Sequence, residues 1–187
     1  MRKLLDLAAH NKVLTLWFGF LVLSTAAGAF VLNPILDPDR SILSMPQLNL
    51  QFSYTPENGD AVLNSWGAGA SARYLDWIWI DLAWALSYGP FFAMLIWKLS
   101  GNRLWTLLPL AEMCLNLTET SLEMWWVGAH TPAEPMSGVF LLHSVLATIK
   151  WAMVPCYLGH TGVLIVRAVR RVRAEKAAAQ PVPALAH

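Results

Sequence analysis

The chain has 187 residues, of which 56% are hydrophobic and 13% are charged, and its net charge is +1. A soluble domain has about 25% charged residues, so the composition indicates a membrane protein, and the ten tryptophans are typical of proteins with many membrane–water boundaries. The small net charge predicts no nucleic-acid partner, and the two cysteines form no CxxC motif, zinc-ligand spacing or disulfide framework.

Four apolar segments are long enough to cross a bilayer, which takes about 20 residues. They cover residues 13–33, 74–99, 103–126 and 138–166. The short turn "SGNR" predicts that the second and third segments form an antiparallel hairpin, and proline and glycine between the third and fourth indicate a loop. The sequence therefore predicts an all-α, polytopic membrane protein, with a four-transmembrane-helix bundle in one membrane domain of residues 1–176.

Lysine and arginine are distributed unevenly around these segments. They precede the first segment, flank the turn at 100–103 and follow the fourth segment, whereas the loop between the third and fourth segments has none. The positive-inside rule then predicts that the N- and C-termini are cytoplasmic. As an alternative, the first segment resembles a signal peptide with cleavage after Ala29, which would leave three spans. The Ala- and Pro-rich residues 177–187 are predicted to be a disordered tail.

The outer loop, residues 34–73, is long enough that internal structure is expected. Apolar residues alternate with polar ones in "QLNLQFSY", which predicts a half-buried strand or extended segment. The residues on its apolar side are Leu48, Leu50, Phe52 and Tyr54. Thr55 as N-cap and Pro56 at the first helical position predict a short helix to about Trp66. This structured outer loop is interpreted either as a lid over the outer ends of the helices or as a loop merely packed on the bundle.

Polar residues recur inside the third segment, in the stretch "EMCLNLTETSLE". Its Glu112, Asn116, Glu119 and Glu123 are spaced four, three and four, so they share one helix face. Because charge facing lipid is costly, this face is expected to point into the protein. The second and fourth segments have polar residues seven apart, which also share a face. The resulting candidate ligand-binding site consists of Asp81, Tyr88, Glu112, Asn116, Glu119, His143 and Lys150, with Glu123 placed near its mouth.

Depth at 1.5 Å per residue divides these residues into two layers. The outer layer, roughly 10 Å from the outer boundary, consists of Asp81, Glu119 and His143. The inner layer, roughly 20 Å from it, consists of Tyr88, Glu112 and Lys150. We expect Lys150 to neutralise Glu112, and the remaining carboxylates to hold a proton or take up a cation. Glu119 and Asp81 would be the acid–base or cation-binding groups.

Three functions fit this pattern. The first is a site for a small hydrophobic or cationic ligand or a lipid, open to the outer leaflet. The second is an intramembrane acid–base enzyme such as an isomerase, with Glu119 or Asp81 as proton donor and His143 as base. The third is a structural or assembly subunit in which buried ion pairs fix helix packing. An oligomer or partner subunit is compatible with all three. Haem is not expected, because only one histidine lies deep in a span. No other cofactor and no metal site is predicted.

The stretches "ARYLDWIWIDLAWALSYGPFFA", "LPLAEMCLNLTETSLE" and "HSVLATIKW" resemble a group of small bacterial four-span integral membrane proteins, over most of residues 54–155. The resemblance implies the four-span topology, a bacterial inner (plasma) membrane location and a role for Asp81, Asn116, Glu119 and Lys150, but no reaction. A looser, architectural similarity is to the sterol-isomerase and sigma-2-receptor superfamily, whose bundles have carboxylates lining a pocket for amines or sterols. No motif matches that superfamily closely, so its catalytic residues are not transferred.

Overall fold

The structure, a computed structural model, describes residues 6, 9–32, 46–67, 69–129 and 137–178. These residues are almost entirely helical and include no strand, which confirms the prediction of an all-α protein. In chain order the helices are α1 (Asn11–Ala27), continued by a π-helical turn (Gly28–Leu32), α2 (Pro46–Gln51), α3 (Pro56–Ser65), α4 (Ala70–Ser100), α5 (Arg103–Ala129) and α6 (Ser137–Ala178).

Three of these helices are long and apolar enough to cross a membrane. Their candidate spans are Asn11–Phe30, Ser71–Ser100 and Gly138–Ala178. Helix α5 is not among them, although it has 27 residues, and it contains the three glutamates of the polar stretch. The structure thus supports the first, second and fourth predicted spans by length and composition. The third, residues 103–126, stays a prediction.

Helix α4 lies between α1 and α5, and α6 packs against both α4 and α5. A tight turn joins α4 to α5 through Gly101, whose φ of 63° is accessible to glycine at little cost. On the other side of α4, Ser87 and Ser24 of α1 are joined by a 3.1 Å hydrogen bond, and Trp84 Nε1 donates to Thr25 Oγ1 at 3.1 Å. These contacts hold the second half of α1 against α4.

Helix α6 extends well beyond the predicted fourth span. It continues past residue 166 to Ala178, so residues 177–178 of the predicted disordered tail are helical. Alanine, arginine, lysine and glutamate favour helix, and an i,i+4 pair between Arg171 and Glu175 lies on this extension. The rest of the predicted tail, residues 179–187, lies outside the described residues.

The predicted strand in the outer loop is wrong, because residues 46–51 form the short helix α2. Among the described residues there is no neighbouring strand to accept its hydrogen bonds, and a helix satisfies its backbone groups without a partner. The apolar residues of the alternating pattern also do not lie together on one buried side. Leu50 is fully buried, whereas Phe52 is 39% and Tyr54 is 40% exposed. Residues 34–45 of the predicted loop lie outside the described part of the chain.

The predicted short helix after this segment is confirmed as α3. Thr55 caps it by accepting from the backbone N–H of Asn58 at 3.3 Å, and Pro56 occupies the first helical position. Leu63 and Trp66 at its end are buried on the main helices. They join a set that we call the aromatic cluster, consisting of Trp66, Tyr74, Trp77, Trp126 and Phe140. Helix α3 therefore covers one end of the α4–α5–α6 assembly.

Candidate functional site

The seven residues predicted to form a site meet in the interior between α4, α5 and α6. Hydrogen bonds and ion pairs connect them with two further α5 residues into what we call the polar cluster. Its members are Asp81, Tyr88, Glu112, Asn116, Glu119, Thr120, Glu123, His143 and Lys150. All are buried except Asp81, which is partly exposed. The polar face of α5 thus points into the protein, as the spacing of its residues predicts.

One half of the polar cluster is built around Tyr88 of α4. Its hydroxyl donates to Glu112 Oε1 at 2.7 Å and accepts from Asn116 Nδ2 at 3.2 Å. The ring of Tyr88 packs against Trp84, with centroids 4.6 Å apart. The tyrosine hydroxyl therefore holds the Glu112 carboxylate and the Asn116 amide in place at the same time.

Lys150 pairs with Glu119, although the sequence predicts that it neutralises Glu112. Its ammonium group also donates to Asn116 Oδ1 at 2.9 Å. The reason is the register of the antiparallel helices α5 and α6. Trp126 packs on Phe140 at one end, and Trp105 stacks on His160 at the other. 

This register places Lys150 opposite Asn116, about one helical turn from Glu112. The predicted third segment ends at Trp126, whereas α5 continues to Ala129. Depths counted from Trp126 and from the start of α6 at Ser137 therefore place Lys150 about one turn too far along α5, beside Glu112. Lys150 consequently links the two predicted layers through Asn116 and Glu119, instead of belonging to the inner layer alone.

His143 lies between two carboxylates at the end of the polar cluster nearest α3. Its Nε2 is 3.4 Å from Glu119 Oε1 and 3.2 Å from Glu123 Oε1. Glu123 is 2% exposed, so it is an interior residue and not one at the mouth of the site. The same i, i+4 spacing that grouped the other α5 residues includes Glu123, and this signal could have assigned it to the site.

Asp81 joins the polar cluster through a residue that sequence reasoning missed. Thr120 Oγ1 donates to Asp81 Oδ2 at 2.9 Å and lies 3.4 Å from Asn116 Oδ1. A threonine inside a helix commonly bonds its own backbone, so nothing in the sequence distinguishes this one. Asp76, five residues earlier on α4, is exposed, as expected from its position on the opposite face.

The charges of the polar cluster do not balance. Among the described residues, the polar cluster contains three buried carboxylates (Glu112, Glu119 and Glu123) and the partly exposed Asp81, with Lys150 and His143 as its basic groups. Even with both of these charged, two negative charges have no positive partner within the cluster. Burying an uncompensated carboxylate costs several kcal/mol, on the order of the penalty for any isolated ion. The arrangement therefore favours the uptake of protons or of a positively charged ligand.

The polar side chains contact one another closely across the three helices. A cavity of about 540 Å³ lies at the other end of the helices, beside the turn between α4 and α5. Its lining residues include Asp6, Trp97, Lys98 and Arg103.

Tyr157, in line with His143 and Lys150 on α6, packs on the ring of Phe92 with centroids 5.3 Å apart.

Comparison of the chain with family models, with curated proteins and with solved structures finds no match.

Proposed function

We propose that this chain is a four-span protein of the bacterial inner membrane that binds a small, positively charged ligand in the polar cluster. The single observation that supports this is the excess of buried carboxylates over basic groups. A buried negative charge is tolerated where a partner compensates it, and intramembrane ionisable residues are generally functional. The cytoplasmic placement of both termini rests on the positions of lysine and arginine, and the bacterial location rests on the family resemblance.

The close contacts within the polar cluster favour a small cation over a sterol-sized ligand. Drug-sized ligands occupy pockets of about 300–1,000 Å³ with mostly apolar walls. His143 Nε2 lies only 3.4 Å from Glu119 Oε1 and 3.2 Å from Glu123 Oε1, and these facing atoms are polar. A ligand at this place is therefore an ion or a compact cationic group.

Native mass spectrometry of the full chain, extracted gently from its own membrane, tests the proposal. We expect one additional mass of discrete size on the wild-type protein. Glu123→Gln removes a carboxylate that is not in the Lys150 pair and should lose that mass while remaining folded by circular dichroism. Asp76→Asn, which removes one exposed carboxylate of α4, is the matched control and should retain it. A wild-type chain without added mass, also after incubation with inorganic and organic cations, contradicts the proposal.

A second candidate function, a structural or assembly subunit, is favoured by the direct pairing of Lys150 with Glu119. Buried ion pairs can specify helix register without binding anything. This reading predicts that the extracted protein has another protein chain attached and no small ligand. The same spectrum therefore distinguishes the two candidates.

A further inference from the structure

We propose that Glu119, Glu123 and His143 form a binding site for one divalent transition-metal ion. This inference rests on the proposed function, since it identifies the small cation. The three residues come from two helices, α5 and α6, and all are at least 98% buried. One ligand atom from each lies within 4.8 Å of the other two.

The distances between the three side chains agree with those around a metal ion. Ligand bonds of about 2.1 Å separate neighbouring ligand atoms by about 3.4 Å in a tetrahedral site and about 3.0 Å in an octahedral one. His143 Nε2 is 3.4 Å from Glu119 Oε1 and 3.2 Å from Glu123 Oε1. A charge-assisted hydrogen bond from nitrogen to a carboxylate is shorter, about 2.7–2.9 Å. Nε2 also has at most one proton, so it can form a linear hydrogen bond to only one of the two carboxylates.

The polar atoms of this trio have few other partners. Among the described residues, both carboxylate oxygens of Glu123, Oε1 of Glu119 and both ring nitrogens of His143 make no hydrogen bond of good geometry. The buried hydroxyl of Tyr74 lies beside Glu123 and interacts with its carboxylate. Buried polar groups are satisfied in the great majority of cases. Three of these atoms, His143 Nε2, Glu119 Oε1 and Glu123 Oε1, face one another, as the ligand atoms of a metal site do.

The surroundings suit a resident ion. The other oxygen of Glu119, Oε2, pairs with Lys150, which orients the carboxylate so that Oε1 points to His143. Such outer contacts to metal-ligating carboxylates are usual in metal sites. The ring of Phe140 lies 5.6 Å from that of His143 and, with the aromatic cluster, separates the trio from the end covered by α3. His143 is neutral when it binds a metal ion, so the four carboxylates and Lys150 then leave three negative charges in excess, of which a divalent ion would offset two.

The donor set indicates the class of metal. One imidazole and two carboxylates suit Zn²⁺, Mn²⁺ or Fe²⁺, whereas Mg²⁺ and Ca²⁺ prefer oxygen ligands alone. Three protein ligands with a further position open is the arrangement of catalytic zinc sites, and structural zinc sites have four. With three protein ligands, the trio has the ligand number of a catalytic site and one ligand fewer than a structural zinc site.

The test is metal binding by the full chain in lipid nanodiscs. The protein is depleted with EDTA, then titrated with Zn²⁺ or Mn²⁺ in the presence of excess Mg²⁺, and bound metal is counted by elemental analysis and native mass spectrometry. We expect one ion per chain. Glu123→Gln and His143→Asn should each weaken binding more than tenfold, and Asp76→Asn should leave it unchanged. Circular dichroism of each variant shows whether the helices are retained, and Glu123→Gln is informative even if His143→Asn fails to fold.

The outcomes separate this inference from the proposed function. A metal ion that binds equally well to Glu123→Gln would lie elsewhere and would overturn the metal site. An organic cation in place of a metal, lost in Glu123→Gln, would overturn the metal site and leave the proposed cation-binding function intact. No added mass of either kind, in extracted or metal-treated protein, would overturn both.

Discussion

Replacing Lys150 by methionine removes the positive partner of a carboxylate that has no access to water. Glu119 is 0% and Lys150 is 4% exposed, so the pair is fully inside the protein. Breaking a buried ion pair by removing one partner costs about 3–5 kcal/mol. The Asn116 oxygen loses the same donor, and Thr120 at 3.4 Å does not replace it, because the single hydroxyl proton of Thr120 is donated to Asp81. We expect Lys150→Met to lower the free energy of unfolding by about 3–5 kcal/mol.

A double-mutant cycle identifies which carboxylate forms the ion pair with Lys150. Glu119→Gln together with Lys150→Met removes both charges, so the double variant should be less destabilised than the sum of the single ones. We expect a coupling free energy of about 2 kcal/mol or more, near the upper part of the range for residues in direct contact. The control cycle pairs Lys150→Met with Glu112→Gln. Its coupling should be below about 1 kcal/mol, because Tyr88 and Asn116 separate the two groups.

Reversible unfolding in mixed detergent and SDS micelles, followed by circular dichroism, measures these free energies. The cycles use the same lysine and the same type of substitution on the same helix, so a general loss of packing affects both equally. A coupling to Glu112 as large as that to Glu119 would refute the register argument for α5 and α6. No coupling to either would refute the ion pair itself.

Two further substitutions test other parts of the structure. Tyr88→Phe removes the hydrogen bond to Glu112 and should lower the free energy of unfolding by about 1.5–3 kcal/mol, the usual value for a hydrogen bond to a charged group. A change below about 0.5 kcal/mol in the same unfolding assay would contradict that hydrogen bond. Gly59→Ala would place a Cβ 2.6 Å from the ring of Phe140, so α3 should lose its close contact and limited proteolysis of α3 should accelerate. Gly159→Ala, with nothing within 4 Å of its Cβ, should leave the proteolysis rate unchanged, and equal rates in the two variants would exclude close packing of α3.

Much of the fold could be predicted because the relevant signals are local. Apolar length indicates the long helices, and the Thr55–Pro56 pair specifies the start of α3 whatever the chain does elsewhere. The strand predicted at residues 47–54 failed for the opposite reason. Alternation of apolar and polar residues predicts a strand only where a neighbouring strand is present, and no described segment supplies one.

In the candidate site, too, the local features could be predicted from the sequence and the contacts between helices could not. Spacing along α5 was enough to predict that its polar residues face inward together, because the geometry of a helix converts sequence distance into direction. The choice of partner for Lys150 depended on how far α6 is shifted along α5, and this shift is decided by the packing of Trp126 on Phe140 and Trp105 on His160. Contacts between residues far apart in sequence leave no mark in the local pattern.

The sequence by itself therefore determined that the chain forms long helices, most of them apolar enough to cross a membrane, and that the third long helix, α5, has a polar face. Only the tertiary structure decided that Glu119 is shared between Lys150 and His143, and that Glu123 is an interior residue beside them. The physical reason is that side-chain direction is a property of one helix, whereas an ion pair or a metal site depends on the relative position of two helices to within about 1 Å, less than the rise of one residue.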